Sequence, residues 1–373
     1  MLNLIIEFKF IQLVFLLLKQ PLEAKFIIMK KIIAGLFVFG ILFVGIASFQ
    51  DKDKTVFEWS EKDTVYKVLY DLGEPKPKHY IEPTAEQIKK GEEIVKIGYT
   101  TDANGKKTTP VSKYYFCTSC HNLQREDPVL YESNAEARLP YVKEHKIPFL
   151  QGTTFWGITN RESWYNDDYV RKYGDEKVAV ANKDLREAIQ LCAIECSQGR
   201  YMEDWEIDAV LAYYWSLELK MSEIDLTKED WKKLQKEGND ASKKQATIAW
   251  LKSKYATKSP AHFYDSPKDK TKGFEGTKPG NPEVGKDIYE LSCVFCHQPN
   301  KGVSHYILDD SKMSFQHLKN KMFRNSHMSI YQLIPYGTYA IPGHRPYMPH
   351  YPEERMTKQQ VEDLRAYILQ RAK

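Results

Sequence analysis

The chain is short of excess charge of either sign. Its 54 Lys and Arg stand against 50 Asp and Glu, a formal net charge of +4 over 373 residues. No basic block stands apart from the rest, so the electrostatic footprint of a nucleic-acid binder is missing. Cysteine is also scarce, with six residues in all. None lies near the apolar run at residues 32–49, which argues against a lipid-bearing cysteine there. Wholesale disorder is excluded by composition, because 42% of residues are hydrophobic and 28% charged, enough to build a core.

The N-terminus reads as a targeting segment. Lys30 and Lys31 follow Met29 and precede the apolar run, the order found in a signal peptide or an uncleaved anchor. The run is about long enough to span a bilayer, so length does not choose between them. Small residues at Gly45 and Ala47 offer a cleavage site before Ser48. The expectation is residues 29–50 as signal peptide or membrane anchor and a periplasmic protein, with attachment to the inner membrane as the variant. A shorter apolar stretch covers residues 10–18. Residues 1–28 are expected to be a start-codon artefact or an extension.

The six cysteines are Cys117, Cys120, Cys192, Cys196, Cys293 and Cys296. Four of them fall in two C-x-x-C-H motifs, ending in His121 and His297. This is the attachment signature of c-type haem. Two thiols form thioethers to the two vinyl groups of one porphyrin, and the adjacent histidine is brought under the iron. Both competing readings are weaker. A four-cysteine zinc site would need the pairs to meet across a very long separation, and a dithiol redox motif needs no histidine after each pair. Two haem c groups are therefore expected. The 24 Tyr, 17 Phe and 7 Trp would suit haem walls, though they serve equally as ordinary core filler.

The chain repeats itself around these motifs. Gly285 to Tyr289 precede Cys293, as Gly91 to Val95 precede Cys117 after an insertion that carries the turn signal Asp102-Ala103-Asn104-Gly105. Each half ends in a helical pattern, with Ile207, Val210, Leu211 and Tyr214 in one and Val361, Leu364 and Ile368 in the other. Thr357 with Gln360 three residues on is a capping box. Each unit is then a helix, a haem motif, a loop and a closing helix. Between the units lies a charged, helix-prone stretch from about residue 227 to 254, anchored by Trp231, Leu234, Ile248 and Leu251. A Pro-, Gly- and Lys-rich loop follows it.

This arrangement resembles the cytochrome c domain, over residues 84–220 and 281–373, with 221–280 as connector. The resemblance implies a mostly α fold of two cytochrome c-like helical domains, each around one covalently bound haem held between its crossed first and last helices. It also implies a distal ligand at Met348, in Arg345-Pro346-Tyr347-Met348-Pro349, 51 residues after His297 (348 − 297). A thioether there favours ferrous iron and raises the potential. The bland alternative is a gap-filling methionine. Met313, Met328 and Met356 are weaker candidates, and related diheme enzymes exchange lysine with methionine.

The first half has no methionine at the matching place. Its segment before the closing helix holds Cys192 and Cys196, four apart and so on one helix face. Buried free thiols are one reading. A disulfide across one helical turn has poor geometry. The segment resembles the axial-cysteine region of diheme thiosulfate dehydrogenases and related sulfur-oxidising cytochromes, where a cysteine seven residues before a glycine is the distal ligand. Cys192 has that spacing to Gly199. The resemblance thus implies Cys192 as thiolate ligand and tentative catalytic residue, with Cys196 as the alternative. The long loop through Gly152, Arg161, Trp164 and Tyr165, and the insertion before Cys117, depart from that family.

Two functions follow from these residues. The first is electron transfer through two haems between redox partner proteins. The second is an oxidoreductase resembling thiosulfate dehydrogenase, coupling thiosulfate to tetrathionate at the first haem. A small sulfur oxyanion would need cations near the iron, and Arg161, Arg171, Arg186 and Arg200 are candidates. Each could equally be a solvated arginine or a propionate partner. A diheme peroxidase and a zinc- or disulfide-stabilised binding module are weaker alternatives.

Overall fold

The computed structural model divides the chain into two units, Met1–Val56 and Phe57–Lys373. It describes residues 56–299, 307–338 and 348–373. The targeting segment, the residues before Met29, and Arg345 to Tyr347 lie outside the described residues. Among the described residues, no helix is long and apolar enough to cross a membrane.

The second unit is mostly helical, and its described residues form no strand beyond isolated bridges, Thr64 with Lys220 and Thr101 with Lys107. The latter bridge closes the turn signalled by Asp102 to Gly105. Asp102 N donates to Lys106 O at 2.8 Å, and Gly105 takes a φ of 75° that the turn requires.

Two crossed helix pairs dominate. Helix α2 (Ala85–Ile97) starts at Thr84, whose hydroxyl accepts from Gln87 N while the Gln87 side chain accepts from Thr84 N. It crosses α6 (Asp204–Ser216) at Gly91, where a Cβ would lie 1.9 Å from Ala209 O. Only a residue without a side chain lets the backbones meet so closely. The second half repeats the device. Helix α9 (Pro282–Ile288) crosses α12 (Lys358–Arg371) at Gly285, where a Cβ would lie 2.0 Å from Asp363 O. Both closing helices begin alike: Thr357 and Gln360 form the expected capping box on α12, and Glu203 and Glu206 form one on α6. Met202 and Met356 occupy the position before each cap and share a core with Ile207 and Val361, each four residues past its cap, the pattern of a hydrophobic staple.

The apolar cores draw on segments far apart in the chain. One core gathers α2, α6, α4 (Asp175–Lys183) and α5 (Leu185–Leu191). A second gathers α9, α10 (Lys312–Met322), α11 (Ile330–Tyr336) and α12, and it takes in α3 (Ala135–Glu144) with Ile147 and Phe149 from the first half. Phe149 N donates to Leu291 O at 3.0 Å, which ties the halves together by backbone.

The connector also has a core. Leu234 of α7 (Lys228–Gly238) and Ile248 and Leu251 of α8 (Lys244–Lys252) are buried against Trp59 and against Val65, Val68, Leu69 and Leu72 of α1 (Val65–Leu72). Trp231 packs against the rim of this cluster. The loop beyond α8 then buries Tyr264 and Phe274 in the second core.

Candidate haem sites

The first C-x-x-C-H motif forms a tight turn, Cys117–Ser119, in which His121 N donates to Cys117 O at 3.1 Å. Cys117, Cys120 and His121 line a cavity that opens to solvent. Its walls are largely apolar and aromatic, among them Phe155, Ile158, Trp164, Tyr165 and Tyr214.

The His121 ring is fixed on three sides. Its Nδ1 lies 2.6 Å from Thr153 O. Phe155 stacks on one face with centroids 4.2 Å apart, and Phe155 in turn stacks on Tyr214. Gly152 touches the ring so closely that a Cβ would lie 2.5 Å from His121 Cε1. With Nδ1–H donated to the carbonyl, the lone pair is on Nε2, as an iron ligand requires. Burial pushes the His121 pKa down to about 4, so the ring is neutral at ordinary pH. The donor set, the fixed ring and the apolar, aromatic lining fit a covalently attached haem.

Opposite elements bring both remaining thiols into the same cavity. Cys192 and Cys196 are the two ends of a π-helical turn, Cys192–Cys196, that ends α5. Such turns are rare and concentrate at functional sites. Neither thiol is in a disulfide. Tyr173 Oη lies 3.2 Å and Tyr165 Oη 3.8 Å from Cys196 Sγ. The pair shares its protons unequally. Bonding to Cys196 and burial hold the proton on Cys192, whereas Cys192, the tyrosine hydroxyls and the Lys172 charge push Cys196 down.

Met202 is a residue that the sequence reading passed over. It is buried in the wall of this cavity, just before α6. Its match to Met356 one position before a helix cap was the available signal.

The four arginines part company. Arg161 stands in the cavity wall, and burial lowers its pKa. It makes no ion pair among the described residues. Arg200 is clamped by Glu206, Nη2 to Oε1 at 2.6 Å and Nη1 to Oε2 at 2.7 Å. Arg186 pairs with Asp208, and Arg171 lies 3.4 Å from Asp265. None of these three lines the cavity. Lys172 Nζ donates to Tyr336 O at 2.9 Å and meets His350 Nδ1 at 2.5 Å, and burial lowers its pKa to about 7.

The second motif lies on a π-helical turn, Tyr289–Cys293, and the short helix Val294–Cys296. His297 N donates to Cys293 O at 2.9 Å, and Leu308 N donates to His297 O at 2.7 Å. Met348 is half-buried and exchanges two bonds with Thr338, through Thr338 N to Met348 O at 3.0 Å and Met348 N to Thr338 Oγ1 at 2.6 Å. Of the other methionines, Met313 and Met328 are exposed and Met356 is buried in the second core.

The two motifs abut. Cys296 Sγ lies 3.6 Å from the carbonyl oxygen of Ser119, a residue inside the first motif. Tyr351 Oη meets Ser292 Oγ, next to Cys293, and lies 3.4 Å from Phe149 O of the first half.

Comparison with known proteins adds a family for the second half. No curated protein and no solved structure matches the chain. Residues 282–372 match the cytochrome c family model, so the chain carries a cytochrome c domain, which implies covalently bound haem c and electron transfer to redox partners.

Proposed function

We propose that the chain is a diheme c-type cytochrome that passes electrons through two covalently bound haems, one at Cys117, Cys120 and His121 and one at Cys293, Cys296 and His297. The observation that carries this reading is the 3.6 Å approach of Cys296 Sγ to Ser119 O, which sets the two attachment segments side by side within one unit. Tunnelling falls steeply with distance, so abutting attachment sites favour rapid exchange. Bound haem supplies the one-electron couple of its iron. The residues do the rest. His121 and His297 would be the proximal ligands. Cys192 would supply the distal sulfur at the first site, giving up its proton on binding, with Cys196 as the alternative in the same cavity. Met348 would be the distal ligand at the second. Thiolate lowers and thioether raises a potential, so the first site is the low-potential one. A periplasmic setting, delivered by the segment at residues 29–50, belongs to the same reading. The test is a reductive titration of the purified holoprotein. Two one-electron steps well separated in potential are expected, and a single step or one haem per chain contradicts the reading.

A second reading is favoured by Arg161, a cation in the wall of the thiol-bearing cavity. Such a site suits a small sulfur oxyanion, as in an enzyme resembling thiosulfate dehydrogenase. Two thiosulfate ions joined through their terminal sulfurs give one tetrathionate and release two electrons, which two bound haems would accept one each. Adding thiosulfate to the oxidised protein should then reduce its visible spectrum. An unchanged spectrum leaves the carrier reading alone.

A further inference from the structure

The peptide group between Thr153 and Thr154 is held at both ends. Its carbonyl, Thr153 O, lies 2.6 Å from His121 Nδ1. Its N–H, on Thr154, donates to Glu126 Oε1 at 2.8 Å. Glu126 is fully buried and also accepts from Asn122 Nδ2 at 2.8 Å. Its counter-charge comes from the other half of the chain. Arg355 Nη1 donates to Glu126 Oε1 at 2.6 Å and Nη2 to Oε2 at 3.1 Å, while Arg355 Nε donates to Leu150 O at 2.9 Å. Arg355 is 1% exposed and lies seven residues past Met348.

We infer that Glu126 and Arg355 are positioning residues that tune the first haem from the second half, by polarising the single peptide group that holds His121. The physical reasoning is short. A carboxylate pulling on the N–H end of a peptide increases negative charge on its carbonyl oxygen. That strengthens the bond from His121 Nδ1–H and makes the ring a better donor to iron, as partners of ligating histidines do. Bonds chained in a buried, low-dielectric setting polarise one another. Arg355 opposes the effect, because it draws charge from the same carboxylate. Contacts near Met348 thus reach the ligand of the other haem through an ion pair and one peptide unit. Thr154 Oγ1 anchors the same segment to Gln124 O at 2.8 Å, so the peptide plane is fixed in place.

The inference rests on haem being bound at His121, and the test keeps the two questions apart. Holoprotein carrying Glu126→Gln retains an acceptor for the Thr154 N–H but loses the charge. Arg355→Lys keeps a cation but loosens the two-point clamp. Haem content and the reduction potential of each haem are measured for both. Glu126→Gln should shift the first haem's reduction equilibrium about tenfold towards ferrous iron, ~59 mV for a one-electron couple. Arg355→Lys should shift it in the opposite sense, and the second haem should hold still. Two haems with no shift at the first, or equal shifts at both, overturn the inference. Loss of haem from the wild-type first motif would instead overturn the reading beneath it. Where Glu126→Gln does not fold, the sign of the Arg355→Lys shift decides.

Discussion

Gly152 lies flat against the imidazole of His121, closely enough that a methyl group in its place would fall 2.5 Å from Cε1. Hydrogen bonding to Thr153 O and stacking on Phe155 complete the cradle, so the ring is aimed before any cofactor arrives. Preorganisation of this kind spares the site the ordering of a mobile ligand.

Gly152→Ala should therefore damage the first site selectively. The added methyl must push either the ring or the loop aside, at a cost of about 1–3 kcal/mol for an overpacked interior. Haem attachment at the first motif should fall or its Soret band shift, while the second motif keeps its haem. Haem stoichiometry and the visible spectrum of the variant check this.

The helix crossings make a stronger demand. Gly91→Ala and Gly285→Ala would each place a Cβ within 2.0 Å of a backbone carbonyl oxygen, at Ala209 and Asp363 respectively. Backbone cannot rotate away as a side chain can. Each change should destabilise its half by at least about 3 kcal/mol, read as a lower midpoint in denaturant, whereas Gly105→Ala at the exposed turn should cost about 1 kcal/mol.

Much of this was written locally in the sequence. The two haem motifs, the paired glycines and the Thr357 to Gln360 cap are short-range patterns, and the structure builds them as crossed helices with matching caps. What escaped was long-range. Glu126 and Arg355 are 229 residues apart, and no periodicity marks either as buried. The packing of α1 on α7 and α8, and of α3 into the second core, likewise joins segments whose individual patterns only say that one face is apolar. The Cys192 and Cys196 spacing suggested a common helix face. A π-helical turn was not legible, because it depends on how the turn is held rather than on residue type.

Stability should fall as pH rises through neutrality. Burial raises the Glu218 pKa from 4.5 to about 7, with the Thr64 hydroxyl opposing it. The folded chain thus holds a proton that the unfolded chain has already released, so this stabilisation is complete below about pH 4.5 and is lost by the time pH passes 7. Burial raises Glu354 to about 7 in the same sense. Glu218→Gln mimics the protonated acid. It should leave the melting temperature at pH 4.5 unchanged and raise stability at pH 8 by about 1–2 kcal/mol, as measured by melting curves at both pH values.

The two cavity thiols should separate by substitution. Cys192→Ser should change the visible and electron paramagnetic resonance spectra of the first haem and raise its potential, because an oxygen ligand replaces a strongly donating thiolate. Cys196→Ser, which removes the partner of Tyr173 and Tyr165, should leave the ligand field in place and both haems attached. The reverse pattern would assign the iron to Cys196.

The central claim is one haem per half, and counting haems on the exported protein tests it most directly. Pyridine haemochrome absorbance per mole of chain, with intact mass, should give two covalently bound haems in the wild type. One haem should remain in the Cys117→Ala, Cys120→Ala variant, and one in the Cys293→Ala, Cys296→Ala variant. A wild-type chain carrying a single haem, unaffected by the loss of Cys117 and Cys120, would contradict the account.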